Sequence, residues 1–210
     1  MAKLTLTTFL TLDGVMQAPG GPDEDPRDGF DLGGWVVPYV DESFGDHVAA
    51  WFGRAGAFLL GRHTYEIFAA YWPQVSNEED PVIAGRLNTL PKYVASTTLE
   101  HADWQNSTVL RGDVVDAVRE LKQQPGDELQ IHGSGVLAQS LMEHDLIDEY
   151  RFLVFPVILG KGHRLFAEGA LPTALRLEAT DALSSGVTMQ TYTPAGRPTF
   201  GSIPARPENA

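Results

Sequence analysis

Two short glycine-bearing stretches carry the residue types that hold an anionic ligand: Gly61-Arg62-His63-Thr64 and Gly133-Ser134-Gly135. Each follows an apolar run and opens a helical pattern, so each reads as a strand-to-helix turn. In an open α/β sheet such turns lie at the carboxyl ends of the strands, where helix N-terminal amides can receive phosphate oxygens. At the first turn Gly61 lets a ligand approach the backbone, Arg62 offers a cation and Thr64 a hydroxyl that could cap the helix. At the second, bare backbone at a helix start could cradle a pyrophosphate. The run Gly133-Ser134-Gly135-Val136-Leu137-Ala138 lacks the third glycine of a Rossmann fingerprint. No acidic residue closes a following strand at the expected distance, so the ordinary dinucleotide fold is disfavoured.

Three side chains could handle protons. Asp13 stands in an Asp-Gly pair after the first strand and reads either as a functional carboxylate or as a turn residue. Asp46 lies two residues from both Phe44 and Val48 on a helix, which leaves its face ambiguous between an inward carboxylate and a surface charge. His132 ends an apolar strand beside the second glycine turn, where it could relay a proton near neutral pH or be a satisfied buried histidine.

The elements that must position these residues follow from periodicity. A strand over Lys3 to Leu10 leads into a long stretch of turn formers, Asp13-Gly14, Ala18-Pro19-Gly20-Gly21-Pro22 and Gly33-Gly34. Met16, Phe30, Trp35, Val36 and Val37 in that loop predict that it packs over something, as functional lids do. From Ser43 the residues Phe44, Val48, Trp51 and Phe52 share one face of a helix ending near Gly53. A strand at Ala57 to Leu60 precedes the first glycine turn, whose helix turns Tyr65, Phe68, Ala69 and Trp72 inward and stops at Pro73. Strands at Lys92 to Ser96 and Ser107 to Leu110 follow, then a helix from Asp113, its N-cap, to Gln124. A strand over Leu129 to His132 meets the second turn and a helix over Val136 to His144. Three strands without intervening helices close the pattern, at Asp148 to Val157, Ala174 to Thr180 and Val187 to Thr193. The expectation is one α/β domain over residues 1–193, with a mostly parallel sheet flanked by helices and antiparallel C-terminal edge strands, then an irregular tail over 194–210.

Composition narrows the function. The 210 residues are 43% hydrophobic and 20% charged, within the globular range. A formal charge of −13, with 15 Lys and Arg against 28 Asp and Glu, excludes the basic face that nucleic acid requires. With no cysteine, disulfides, thiolate nucleophiles and sulfur-ligated zinc are excluded, and no metal is expected. No apolar run approaches the roughly 18 residues of a membrane span and the start carries no signal region, so a cytoplasmic protein is expected.

The order of several motifs resembles the dihydrofolate reductase superfamily, and more closely the reductase domain of the bifunctional riboflavin-biosynthesis deaminase-reductase and its stand-alone relatives. Its carriers are Thr11-Leu12-Asp13-Gly14, Leu59 to Glu66, Lys92 to Ser96, Ile131 to Gly135, and Leu146 to Arg151 running on to Pro156 to Gly162 and Leu165-Phe166. The resemblance implies a dihydrofolate-reductase-like fold and an NADPH cleft. Gly61, Arg62 and Thr64 would hold phosphates, Ser96 and Thr97 would lie near the adenosine 2′-phosphate, and Gly133, Ser134, Gly135 and Val136 would receive the pyrophosphate and the nicotinamide side. Asp13, Gly14 and Met16 would belong to a lid over the nicotinamide. Ser96-Thr97-Thr98 offers hydroxyls only, so charge for a 2′-phosphate falls to Arg62, His63 or Arg111.

The implied activity is hydride transfer to a small heterocycle or a ribosylamino-pyrimidine phosphate, with Lys161 and Arg164 as candidate substrate-phosphate cations. The zinc deaminase half of that pathway cannot be built without cysteine. The alternatives are a small-molecule-binding protein of the same fold without enzymatic activity, and a true dihydrofolate reductase, for which the resemblance implies a substrate-anchoring carboxylate on the helix after the lid, here Asp46, with Asp41 and Glu42 near its start. Trp51, Phe68, Tyr71 and Trp72 could line a pocket for a flat ring, although helical spacing equally makes them core. The run Tyr150 to Phe155, apolar apart from Arg151, fits a central strand or one pairing across a subunit interface, and the resemblance implies a homodimer.

Overall fold

The computed structural model describes residues 1–166 and 168–203. Eight strands, β1 (Leu4–Thr11), β2 (Ala55–Gly61), β3 (Lys92–Ala95), β4 (Ser107–Leu110), β5 (Glu128–His132), β6 (Glu149–Phe155), β7 (Leu175–Ala182) and β8 (Thr188–Pro194), form one sheet in the order β4-β3-β2-β5-β1-β6-β8-β7. The first six strands are mutually parallel, and β8 runs antiparallel to both β6 and β7. A mostly parallel sheet with an antiparallel C-terminal edge is thus present. Five helices, α1 (Glu42–Phe52), α2 (Arg62–Tyr71), α3 (Ile83–Thr89), α4 (Val114–Gln123) and α5 (Gly135–Glu143), cover its faces.

Alternation along the strands divides the core in two. Leu4, Leu6 and Leu10 of β1 join Leu129 and Ile131 of β5 beneath Val115 and Val118 of α4 and Leu137, Ala138 and Leu141 of α5. On the other face Phe58 and Leu60 of β2 meet Phe44, Val48 and Phe52 of α1, Tyr65 of α2 and Leu87 of α3. Asp113 caps α4 by accepting from the amides of Val115 at 2.8 Å and Asp116 at 3.2 Å, and Asp41 caps α1 from Phe44 at 2.8 Å. The sequence pattern misses α3, which at 7 residues spans barely two turns. It also assigns β6 an option the sheet removes: β6 lies between β1 and β8, so both its edges are filled and it cannot pair with a second chain. The free edges belong to β4 and β7. Residues 204–210 of the expected tail lie outside the described residues. No helix among those described is long and apolar enough to cross a membrane.

One polar seam crosses the α1-side core. Arg151 is fully buried, with Nε donating to Glu149 Oε1 at 2.7 Å and its two terminal nitrogens to Glu128 at 2.8 and 2.7 Å. Lys3 pairs with Glu149, and the Trp51 ring lies 5.8 Å from the guanidinium. A bidentate, fully satisfied guanidinium is the form in which a cation tolerates such burial. Gln130 continues the seam by donating to Glu128 Oε2 at 2.8 Å and to the Trp51 carbonyl at 2.7 Å.

Candidate active site

The turns after β2 and β5, which are adjacent strands, meet at the carboxyl end of the sheet. The Gly61 amide donates to Ser134 Oγ at 2.9 Å, and the Ser134 amide donates to Thr64 Oγ1 at 3.1 Å. Thr64 therefore does not cap α2, as its position suggests, but ties the two turns together. Gly133 and Ser134 both adopt left-handed backbone (φ 55° and 54°), which swings the chain from β5 into α5. Gly135 permits a close approach: a Cβ there would lie 2.8 Å from Met16 Sδ.

Three turn amides are already engaged, those of Gly61, Gly133 (to the Thr7 carbonyl, 3.1 Å) and Ser134. The expectation that these glycine amides themselves receive a diphosphate is corrected accordingly. The next amides, at Arg62 to Thr64 and at Gly135 to Leu137, occupy the first helical turns, where no intrahelical acceptor exists. No other acceptor meets them among the described residues, so two helix N-termini remain open to an anion.

Both turns border one cleft of about 1720 Å³. Met16, Gly61, Arg62, Thr64, Ser96, Thr97, Gly133, Ser134, Gly135 and Val136 all line it. Arg62 is held at its mouth by Glu66 (2.7 Å) and Thr98 (2.5 Å), and Arg111 lines the same end beside Ser96 and Thr97. The Ser96 hydroxyl is turned inward, accepting from the amides of Thr98 and Leu99 at 3.2 and 2.9 Å. His63 also borders the cleft.

Asp13, Gly14 and Asp46 stand outside this lining. Asp13 is a clamp: its carboxylate accepts from Thr11 Oγ1 (2.6 Å), Leu159 N (3.2 Å), Gly160 N (2.8 Å) and Arg164 (3.2 Å). Burial pushes its pKa up, but the hydrogen bonds from Thr11, Gly160 and Leu159 together prevail and hold it down at about 2. A carboxylate so engaged binds loops together rather than shuttling protons. Gly14 closes the tight turn beside it, its amide donating to the Thr11 carbonyl at 2.9 Å. Asp46 is exposed, on the side of α1 opposite the cleft-facing Val48 and Phe52.

His132 does border the cleft, stacked on Phe52 with ring centroids 4.2 Å apart. Burial, with a smaller contribution from Arg151, pushes its pKa down to about 3, so the imidazole is neutral at physiological pH. Both amide hydrogens of Gln130 are spent on Glu128 and Trp51, so Gln130 Oε1 accepts from His132 Nε2 at 3.1 Å. That fixes the Nε2–H tautomer and leaves Nδ1 as an acceptor. The buried hydroxyl of Thr7, opposite His132 across β1 and β5, has no partner among the described residues.

Residues not singled out in the sequence complete the cleft. Glu24 of the lid lines it, and burial raises its carboxyl pKa despite amide hydrogen bonds from Gly20 and Gly21. Gln17 fastens the lid, donating to the carbonyls of Asp25 and Arg27 at 3.1 Å each and accepting from the His163 amide at 2.9 Å. Of the four aromatics considered for a pocket, Phe68, Tyr71 and Trp72 line the cleft, while Trp51 covers Arg151.

A sheet of this order, with its cleft at the carboxyl ends of the parallel strands, is the dihydrofolate reductase fold. The chain belongs to the RibD C-terminal domain family, which residues 2–189 match. It is 26% identical over 194 residues to the uncharacterized protein YyaP of Bacillus subtilis (strain 168), covering 90% of this chain and 94% of that protein. Among solved structures it is similar to a putative riboflavin biosynthesis protein from Shewanella sp. PV-4 (24% identity, 92% and 99% of the two chains, TM-score 0.65). It is similar also to the deaminase/5-amino-6-(5-phosphoribosylamino)uracil reductase of Thermotoga maritima, of which it spans 57% (16% identity, 92% of this chain, TM-score 0.61). A dihydrofolate reductase from Enterococcus faecalis complexed with NADP(H) shares the fold at 12% identity (92% and 96% of the two chains, TM-score 0.57).

Proposed function

We propose that the protein is an NADPH-dependent reductase. One observation carries the reading: two helix N-termini, α2 and α5, are locked side by side by Thr64 and Ser134 and open onto a single cleft with arginines at one end. The residues fit the cofactor. Open amides at Arg62 to Thr64 and Gly135 to Leu137 suit its diphosphate, Arg62 and Arg111 suit a 2′-phosphate, and the partnerless Thr7 hydroxyl suits the polar substituent of a nicotinamide ring. Bound there, NADPH supplies a hydride to a carbonyl or imine carbon. Met16 against Gly135 closes the lid over the second turn, which keeps water from the transfer path. Glu24 borders the cleft with a carboxyl pKa raised by burial, which suits it to exchange a proton with the reduced heteroatom.

The test uses the four tryptophans as donors. Excitation of the protein should sensitise NADPH emission, and Arg62→Ala should weaken NADPH about 10-fold while changing NADH affinity about 3-fold or less. No sensitised emission at millimolar cofactor would remove the reductase reading in favour of a binding protein without redox chemistry.

A further inference from the structure

Resting on that reading, we propose that the half of the cleft away from Ser96 takes an uncharged, largely apolar ring compound rather than a phosphorylated sugar. One wall is built from the inner faces of three helices: Val48 and Phe52 of α1, Ile67 and Phe68 of α2, Trp72, and Ile83 at the start of α3. Neither carboxylate of α1, Glu42 or Asp46, lines this cleft, and both are exposed. A ring bearing an amidine-like cation therefore has no anchor there.

The facing loops offer no cation to a phosphate. Arg27 is held by Asp25 at 2.6 and 2.5 Å, Lys161 by Asp31 at 2.5 Å, and His163 contacts Asp28 at 2.8 Å. Arg164 donates to the Asp13 backbone carbonyl at 2.8 Å and to its carboxylate at 3.2 Å. Asp23, Glu24 and Glu168 also border this half. A phosphate dianion placed here would lose its hydration among carboxylates and would have to compete with the acids already paired to these cations, which disfavours it.

Arg62, itself shared with Glu66, and Arg111 stand beside Ser96 to Thr98. The cationic side chains are thus grouped beside Ser96, while the lid lines the cleft with Asp23, Glu24 and Asp25. What remains for orienting a substrate is neutral: the His132 imidazole in the floor.

The experiment titrates the uncharged probe N-phenyl-1-naphthylamine into the full chain and follows its fluorescence. It is expected to bind, and Ile67→Asp on the half-buried wall should weaken it about 10-fold, with Val48→Asp as a second variant. Riboflavin should displace the probe at a concentration about 10-fold lower than riboflavin 5′-phosphate, a matched pair differing in one phosphate. Equal or better displacement by the phosphate ester, or unchanged probe affinity in both variants with native circular dichroism, overturns the proposal. Sensitised NADPH emission is read on the same samples. Its loss with the probe results intact removes the reductase reading and leaves the uncharged pocket standing.

Discussion

The two glycine turns end neighbouring strands and face the same cleft, yet they are built by different means. Gly61 has an extended backbone (φ −71°, ψ 155°) open to any residue, and a Cβ there would sit 3.5 Å from Ser134 Cβ, an ordinary contact. Gly133 has φ 55° and is followed by a left-handed Ser134, so the second turn holds two consecutive residues in a conformation costly for side chains. Its strain is offset by neighbours: Thr64 accepts from the Ser134 amide, while Ser134 Oγ donates to the His132 carbonyl at 2.9 Å and accepts from Gly61. The first turn is therefore the splint and the second the shaped surface. The backbone does not demand glycine at the first position and does at the second.

The sharpest way to break this contrast is Gly133→Val. A β-branched residue at that φ should cost about 3 kcal/mol in urea unfolding and abolish sensitised NADPH emission. Thr64→Val, which keeps shape and removes the acceptor, should cost about 1 to 2 kcal/mol because the Ser134 amide is left partnerless. A loss as large as that of Gly133→Val would mean that the splint, not the shaped turn, stores the energy.

Next in size is the Asp13 clamp, which lies apart from both turns and so should be additive with them. Its folded pKa of about 2 lies below the unfolded value near 3.8, so its contribution is present above that value and fades as pH falls towards 2. After allowance for solvent screening it amounts to about 1 kcal/mol, and Asp13→Asn should flatten that part of the acid-unfolding profile. The smallest stability effect belongs to Gly61→Ala, within about 0.5 kcal/mol, combined with NADPH binding weakened about 10-fold by the added methyl in the approach path. Unchanged binding in that variant would assign Gly61 no role in access.

What the sequence discloses here is what short spans determine. The glycine turns, the Asp113 cap and the antiparallel return of β8 each rest on residues within a few positions of one another, or on the plain lack of a helix between two strands. Asp13 misleads because its partners, Leu159 and Gly160, are 146 and 147 residues away, and nothing near an Asp-Gly pair announces them. Asp46 cannot be placed from its angle to Phe44 and Val48, since the width of the buried stripe on α1 depends on β2 and the lid. The Arg151 seam is half visible as a charge in an apolar strand, but Glu128 and Gln130 reach it only through the sheet order. Lys161 and Arg164 read as substrate cations for the same reason: their acids lie on a loop more than a hundred residues earlier.

The strand order has a consequence for how the chain acquires its shape. β1 leaves the ribosome first, yet its two neighbours are β5 and β6, which end at residues 132 and 155. The middle of the sheet therefore stays an open, hydrogen-bond-hungry ribbon until most of the polypeptide has emerged, and β2 to β4 can pair among themselves before it. Assembly that waits on such distant partners is slow and vulnerable to sticking. Nascent chains arrested between residues 111 and 127 should accordingly clump or recruit chaperones, whereas those released beyond residue 194, where β8 ends, should not.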